Sequence, residues 1–168
     1  VSPNVLPGDL VMFLFATSAI LGGIMAGFFF AYSASVVLAL ETLSADAYTT
    51  VMRPINESVR NPAFGVAFFG AIAVPVVGAA IVLLRGYWTS QYGQLFLAGV
   101  TVYLIGTIAV TVMVHFPMND DIATWSVESP PDDWAAVRAR WALWNHVRTT
   151  AAIVSFALYI GALVTLGV

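Results

Sequence analysis

The stretch RARWALWNHVRTT, Arg138–Thr150, runs directly into AAIVSFALYIGALVTLGV, Ala151–Val168, and this junction decides how the chain is read. Three arginines, two tryptophans, an asparagine and a histidine crowd the start of a segment that carries no charge. An apolar run of about 20 residues is what a helix needs to cross a bilayer. Trp and Arg at its mouth are common interface anchors. Two readings compete: a belt of anchors at the membrane surface, or a polar site set where a spanning helix begins.

Composition settles the medium. Hydrophobic residues make up 60% of the 168 and charged residues 9%, with a mean hydropathy of +0.90. Soluble domains carry roughly 25% charged residues, so this chain lacks the charge to cover a water-facing surface. It reads as an integral membrane protein, with residues 1–168 forming one membrane domain. Six arginines, nine acids and no lysine give a net charge of −3. No basic run exists, which argues against a nucleic-acid partner. The absence of cysteine excludes disulfides, thiol nucleophiles and thiolate–metal sites, and with them the quinone-linked thiol oxidases. No basic segment precedes the first apolar run, Leu10–Leu40, which outruns a signal-peptide core and is expected to remain as a spanning helix.

Four stretches are long enough to span: approximately 10–40, 63–84, 95–116 and 147–168. Barrel strands would alternate over about ten residues, and nothing here alternates. The expected fold class is therefore all-α, an integral membrane four-helix bundle. The first run would reach roughly 46 Å as a helix, so its polar end at Tyr32, Ser33 and Ser35 should emerge from the hydrocarbon. Gly22, Gly23 and Gly27 allow a neighbouring helix to approach closely, and Pro75 should kink the second span. The second and third spans are joined by the short turn RGYWTSQYGQ, in which Tyr87, Trp88 and Tyr92 read as belt residues.

The other two links are long, and alternation of four spans puts both on one membrane face. In the first, Ser44 reads as the N-cap of a short amphipathic helix, disturbed by Pro54 and ended by Asn61-Pro62. In the second, residues 130–133 (PPDD) set up a helix starting near Trp134 that continues into the fourth span. Arg53, Arg60, Arg138, Arg140 and Arg148 lie on this face and only Arg85 on the other. The positive-inside rule then puts the long links in the cytoplasm and both termini outside a plasma (inner) membrane.

At roughly 100° per residue, Trp134, Arg138, Trp141, Asn145, Arg148, Ala152 and Ser155 form one stripe along a helix. Trp144 flanks it; Arg140 and His146 point away. Anchors need no common face, and Asn145 has no reason to prefer an interface. Polar groups turned into a membrane bundle are expensive unless they serve something. His115, Asn119, Asp120 and Asp121 end the third span on the same face, and Asn56, Glu57, Arg60 and Asn61 sit in the first link. One polar chamber under two loops would gather them, although loops also collect polar residues for no functional reason. No His-x-x-x-His or Glu-x-x-His pair places two ligands on one helical face, so no metal site is expected. A metal or haem held by His115 and His146 remains an alternative. No serine sits in a nucleophile turn.

Four motifs together resemble the anthrone oxygenase family: AYSASV (31–36), MRPINESVRNPAF (52–64), FPMND (116–120) and RWALWNHVRTT (140–150). The resemblance covers nearly the whole chain and implies a four-helix membrane protein. Fungal relatives are associated with converting polyketide anthrones to anthraquinones with O₂. The family pattern falls on Ser33, Asn56, Asn61, Pro62, Pro117, Asn119, Trp141, Asn145, Arg148 and Thr149; His115 and His146 stand outside it.

Deprotonating an anthrone gives an electron-rich anthrolate that reacts with O₂, and this needs a flat apolar slot, a base and donors for the oxyanion. By residue type, Trp141 and Trp144 would line the slot, Asn145 and Arg148 would hold the oxyanion, and His115 would be the base, with Asp120 as the second candidate. Ser33, Asn56, Asn61 and Asn119 would complete the binding surface. O₂ is the implied co-substrate and no flavin site is visible. The expected partners are the lipid bilayer and a hydrophobic aromatic small molecule, and Gly/Ala-rich helix faces permit a homo-oligomer. The competing reading is a non-catalytic membrane subunit that binds haem, a quinone or partner helices.

Overall fold

In the computed structural model, which describes residues 7–167, four helices are long and apolar enough to cross a membrane. We number the helices α1 (Gly8–Glu41), α2 (Ala45–Ser58), α3 (Pro62–Leu84), α4 (Gln91–Ala123) and α5 (Trp134–Leu166). Among the described residues there is no strand. The chain is a multi-pass membrane bundle in which α2, amphipathic and outside the four spans, covers one end. Val168, the last residue of the expected fourth span, lies outside the described residues.

Local chemistry places the helix starts. Asn61 is extended, its Oδ1 accepts from the Phe64 N–H at 3.0 Å, and Pro62 fills the first turn, where a missing N–H costs nothing. Ser90 caps α4 in the same way through the Gly93 N–H at 3.2 Å. Ser44 holds the extended N-cap position of α2, but its hydroxyl donates to the Asp46 carboxylate rather than capping an amide. That bond holds the Asp46 carboxyl below its usual range. Pro54 does not interrupt α2. The helix continues to Ser58, and the exposed Pro54 removes one amide bond near its last turn. The expected end of the third span near residue 116 is also overrun, since α4 continues to Ala123.

The reason lies in the backbone of α4. It carries two π-helical turns, Tyr103–Ala109 and Thr111–His115, and Pro117 follows the second, where the regular bonding ladder is already broken. A third π turn, Tyr32–Val36, lies near the end of α1. Helical periodicity in the sequence contained no sign of any of the three.

Packing occurs at three levels. Away from the long links, Phe15 stacks on Phe96 with ring centroids 3.8 Å apart, beside Tyr159 and Val82. At mid-height, Met25, Phe29, Phe68 and Tyr103 surround Ala152. At the link end, Tyr48 and Met52 of α2 close over Val37, Leu40, Ile122 and Trp141. Glycines permit the close helix approaches. A Cβ on Gly22 would meet the Tyr159 ring at 3.3 Å, and one on Gly23 the Phe156 ring at 3.0 Å. Gly27, expected to serve the same purpose, faces open space.

Two arginines fasten the link end. Arg138 donates to the carbonyls of Leu40, Glu41 and Leu43 at 3.1–3.3 Å and stacks on Trp134 at 4.7 Å, so it closes the C-terminus of α1. Arg53 reaches from α2 to the Ala123 carbonyl at the end of α4, at 2.7 Å. Both place a cation where helix carbonyls lack partners and the macrodipole is negative.

Two substitutions test this packing. Gly78→Leu would drive a Cβ into the Phe96 ring, 2.8 Å away, and should cost about 1–3 kcal/mol, read as a lower thermal midpoint, whereas Gly27→Ala should be neutral. Burial raises the Tyr48 phenol from its ordinary value near 10 to about 12, and its hydroxyl has no hydrogen-bond partner. Between those values the unfolded chain ionises at Tyr48 and the folded one does not, so stability falls as pH rises through that window. Tyr48→Phe should leave the midpoint at pH 7 unchanged or higher and flatten the alkaline loss; a lower midpoint at pH 7 would contradict the unpartnered hydroxyl.

Candidate binding site

The stripe predicted on α5 is its buried side. Trp141, Asn145, Arg148, Ala152 and Ser155 are buried, Arg140 and His146 are exposed, and Trp134 and Arg138 lie between. An unbroken helix kept the 3.6-residue period intact here, and the wheel therefore held.

Asn145 is the hub. Its Nδ2 donates to Ser33 Oγ at 2.8 Å, and its Oδ1 accepts from Arg148 twice, Nε at 3.1 Å and Nη2 at 2.9 Å. Ser33 Oγ lies 2.8 Å from Thr149 Oγ1, which in turn reaches the Asn145 carbonyl at 2.7 Å. With Ser33 donating to Thr149, both hydroxyl protons of this small network have an acceptor. The π turn at Tyr32–Val36 is where α1 supplies Ser33 to the network.

Arg148 is only 8% exposed, and its guanidinium lies 4.5 Å from the centroid of Phe29 and 5.8 Å from that of Trp141. Among the described residues no carboxylate pairs with it. The one ion pair there is Arg60–Asp120 at 3.9 Å, between two exposed side chains. A buried cation with no counter-charge is costly, and an anion brought beside it would offset that cost.

Arg148 and Trp141 form part of the wall of a cavity of about 510 Å³. Its sides are aromatic: Phe28, Phe29 and Tyr32 from α1, Phe64 and Phe68 from α3. α4 adds Thr111, His115 and Asn119. His115 is 1% exposed, and neither ring nitrogen has a hydrogen-bond partner. Its ring stands edge-on to Trp141, centroids 5.2 Å apart. Asn119 Oδ1 accepts from the Trp141 indole N–H at 2.8 Å, which fixes the plane of that wall. Asn56, Asn61, Arg60 and Asp120 complete the link end.

The residues expected at the site divide accordingly. Asn56, Asn61, His115, Asn119, Trp141 and Arg148 line the cavity. Ser33 and Asn145 stand behind Arg148 and position it. Trp144 is half-buried and outside the cavity wall, because it lies one residue off the Trp141–Asn145–Arg148 face. His146 is exposed on the far side of α5 and takes no part in the wall with His115. Among the described residues no group of three or more His, Asp or Glu side chains is placed to hold a metal. The aromatic wall was not anticipated, although Phe28/Tyr32 and Phe64/Phe68 each lie four residues apart and share a helix face.

The arrangement is that of a polytopic membrane protein with an internal aromatic pocket and one buried cation. Residues 61–158, more than half of the chain, match the family described as anthrone oxygenase, and the chain belongs to that family. No curated protein and no solved structure matches it significantly.

Asn145→Ala would strip Arg148 of its anchor and leave Ser33 without its donor. A loss of about 1–3 kcal/mol is expected, seen as a lower thermal midpoint in detergent. An unchanged midpoint would show that the network does not hold the helices together.

Proposed function

We propose that this protein oxidises a lipophilic, anthrone-like aromatic substrate with O₂ inside the cavity. The observation that carries the reading is Arg148: a buried guanidinium without a carboxylate, set among aromatic rings and held by a neutral amide. Such a group favours a flat ligand that becomes an anion during reaction.

The steps follow from the substrate's chemistry. His115, whose neutral imidazole offers one lone pair, takes the benzylic proton. The charge moves onto the substrate oxygen, and Arg148 stabilises that oxyanion. The anthrolate carbon reacts with O₂ to give, after protonation, a hydroperoxide. Loss of the remaining hydrogen on that carbon, with cleavage of the O–O bond, releases water and leaves the second carbonyl. One O₂ is consumed and one water is formed per quinone, so no external reductant is needed. The aromatic walls hold the ring system and exclude water from the anion.

Oxygen uptake by the purified protein in lipid nanodiscs, with anthrone as substrate, tests the reaction. Uptake should match quinone formed one to one. Arg148→Gln should lower the rate by roughly a hundredfold. Asn145→Asp should keep or raise the thermal midpoint, because the new carboxylate pairs with Arg148, and yet lose turnover because the cation is neutralised. Equal rates for the unaltered protein and Arg148→Gln would overturn the proposal. Tight binding of the anthrone without uptake would instead make the chain a carrier of such compounds.

A further inference from the structure

The cavity has two ends of different character. Toward the long links it ends at Asn56, Asn61 and the Arg60–Asp120 pair, which joins the start of α3 to the end of α4 across 3.9 Å. Its other boundary is lateral. α3 packs along α1, where Gly70 receives Leu21, and meets α4 within Gln91–Val102, near their connecting turn, where Gly78 receives Phe96. The packing of α4 on α5 runs on past Val102 through both π turns, whereas its packing on α3 is concentrated within Gln91–Val102. The first half of α3 and the second half of α4 therefore stand apart, and the cavity lies behind the gap.

Both lips of the gap belong to the lipid-facing surface. On α3, Phe69 is 68% exposed and lies about 10 Å inside the Pro62 end of the helix. On α4, Phe116 is 49% exposed, and Met113 beside it is exposed too. Phe69 and Phe116 also line the cavity, so the same two side chains touch the interior and face the bilayer. One turn before Phe69 on α3 is Gly65, a wall residue at which a Cβ would meet nothing within 4 Å. The cavity thus reaches the lipid-facing surface at Phe69 and Phe116.

We infer that the ligand reaches the cavity sideways, from the hydrocarbon of the bilayer, through the opening between α3 and α4 bounded by Gly65, Phe69 and Phe116. This rests on the proposed function only for the lipophilic character of the ligand. A flat aromatic compound dissolved in the membrane slides between the lips with its rings against Phe64 and Phe68. Its polar edge arrives at Arg148 without crossing water. The link end of the cavity, edged by the exposed Arg60 and Asp120, is polar and is not the route.

The route is tested without any substrate, using phenyl(trifluoromethyl)diazirine dissolved in the bilayer of nanodiscs. After a brief flash, labelled residues are mapped by mass spectrometry. In the unaltered protein the wall residues Phe29, Thr111 and Trp141 should be labelled alongside lipid-facing Phe13. Phe15 and Met25, buried in the sealed core, should stay clean. Gly65→Trp should lower wall labelling by roughly tenfold with Phe13 unchanged; Arg60→Ala should leave it as it was. Wall labelling no greater than that of Phe15 would overturn the inference, and so would wall labelling that responds to Arg60→Ala and not to Gly65→Trp. Should anthrone turnover fail while the wall is labelled as expected, the proposed reaction falls and the lateral route stands.

Discussion

A guanidinium buried in a membrane bundle without an acid beside it is the constraint around which the link half of this structure is arranged. Burying a charge costs several kcal/mol unless its protons are satisfied and its field is answered. Asn145 satisfies two of the donors, Phe29 and Trp141 present ring faces, and the remaining side opens on the cavity. A carboxylate at position 145 would answer the field better and close the site to anions. A neutral amide fixes the guanidinium while leaving its charge available. Ser33, Thr149 and the π turn of α1 then hold the amide.

The opposite half of the bundle provides the rigidity this arrangement needs. Phe96 and Tyr159 pack against glycines there, and Phe15 stacks on Phe96. α3 and α4 are pinned together at that end, which lets them stand apart at the other without the bundle opening. The π turns of α4 add a further adjustment. Each inserts an extra residue into the helical ladder and turns the segment beyond it relative to the first half. Thr107, within the first of them, donates to the Arg148 carbonyl at 3.1 Å, so the distorted stretch is tied to α5 beside the cation.

How much of this was legible in the sequence depended on helix regularity. The four spans and the uninterrupted α5 were readable from length and hydropathy, and the buried face of α5 from a period that never breaks. Trp144 lies outside the cavity wall for a simple reason: residue type suggests a slot wall, while its angle on the helix sets it to one side. α4 was not readable past Tyr103, because two π turns change the period without a compositional mark. The aromatic wall was hidden for a different reason. In a membrane protein a phenylalanine suits lipid as well as a pocket, and only the packing of α1 against α3 shows which of them face inward. The arginines on the long-link face also have structural roles. Arg53 and Arg138 cap helix ends, Arg60 pairs with Asp120 and Arg148 lines the cavity, which leaves Arg140 as the one on that face without such a role. A count of positive charges treats all five as topology signals.

The fastening of α2 and its neighbours has a consequence for how the link end responds to its surroundings. Arg53 and Arg138 bind backbone carbonyls, which carry no net charge and do not titrate. Screening by dissolved ions acts strongly on exposed charge pairs and weakly on short contacts between a cation and a helix terminus. Salt at the membrane surface therefore acts on the Arg60–Asp120 pair and leaves the rest of the roof in place. The end of the bundle nearest water is divided into a part that ionic strength loosens and a part that it does not.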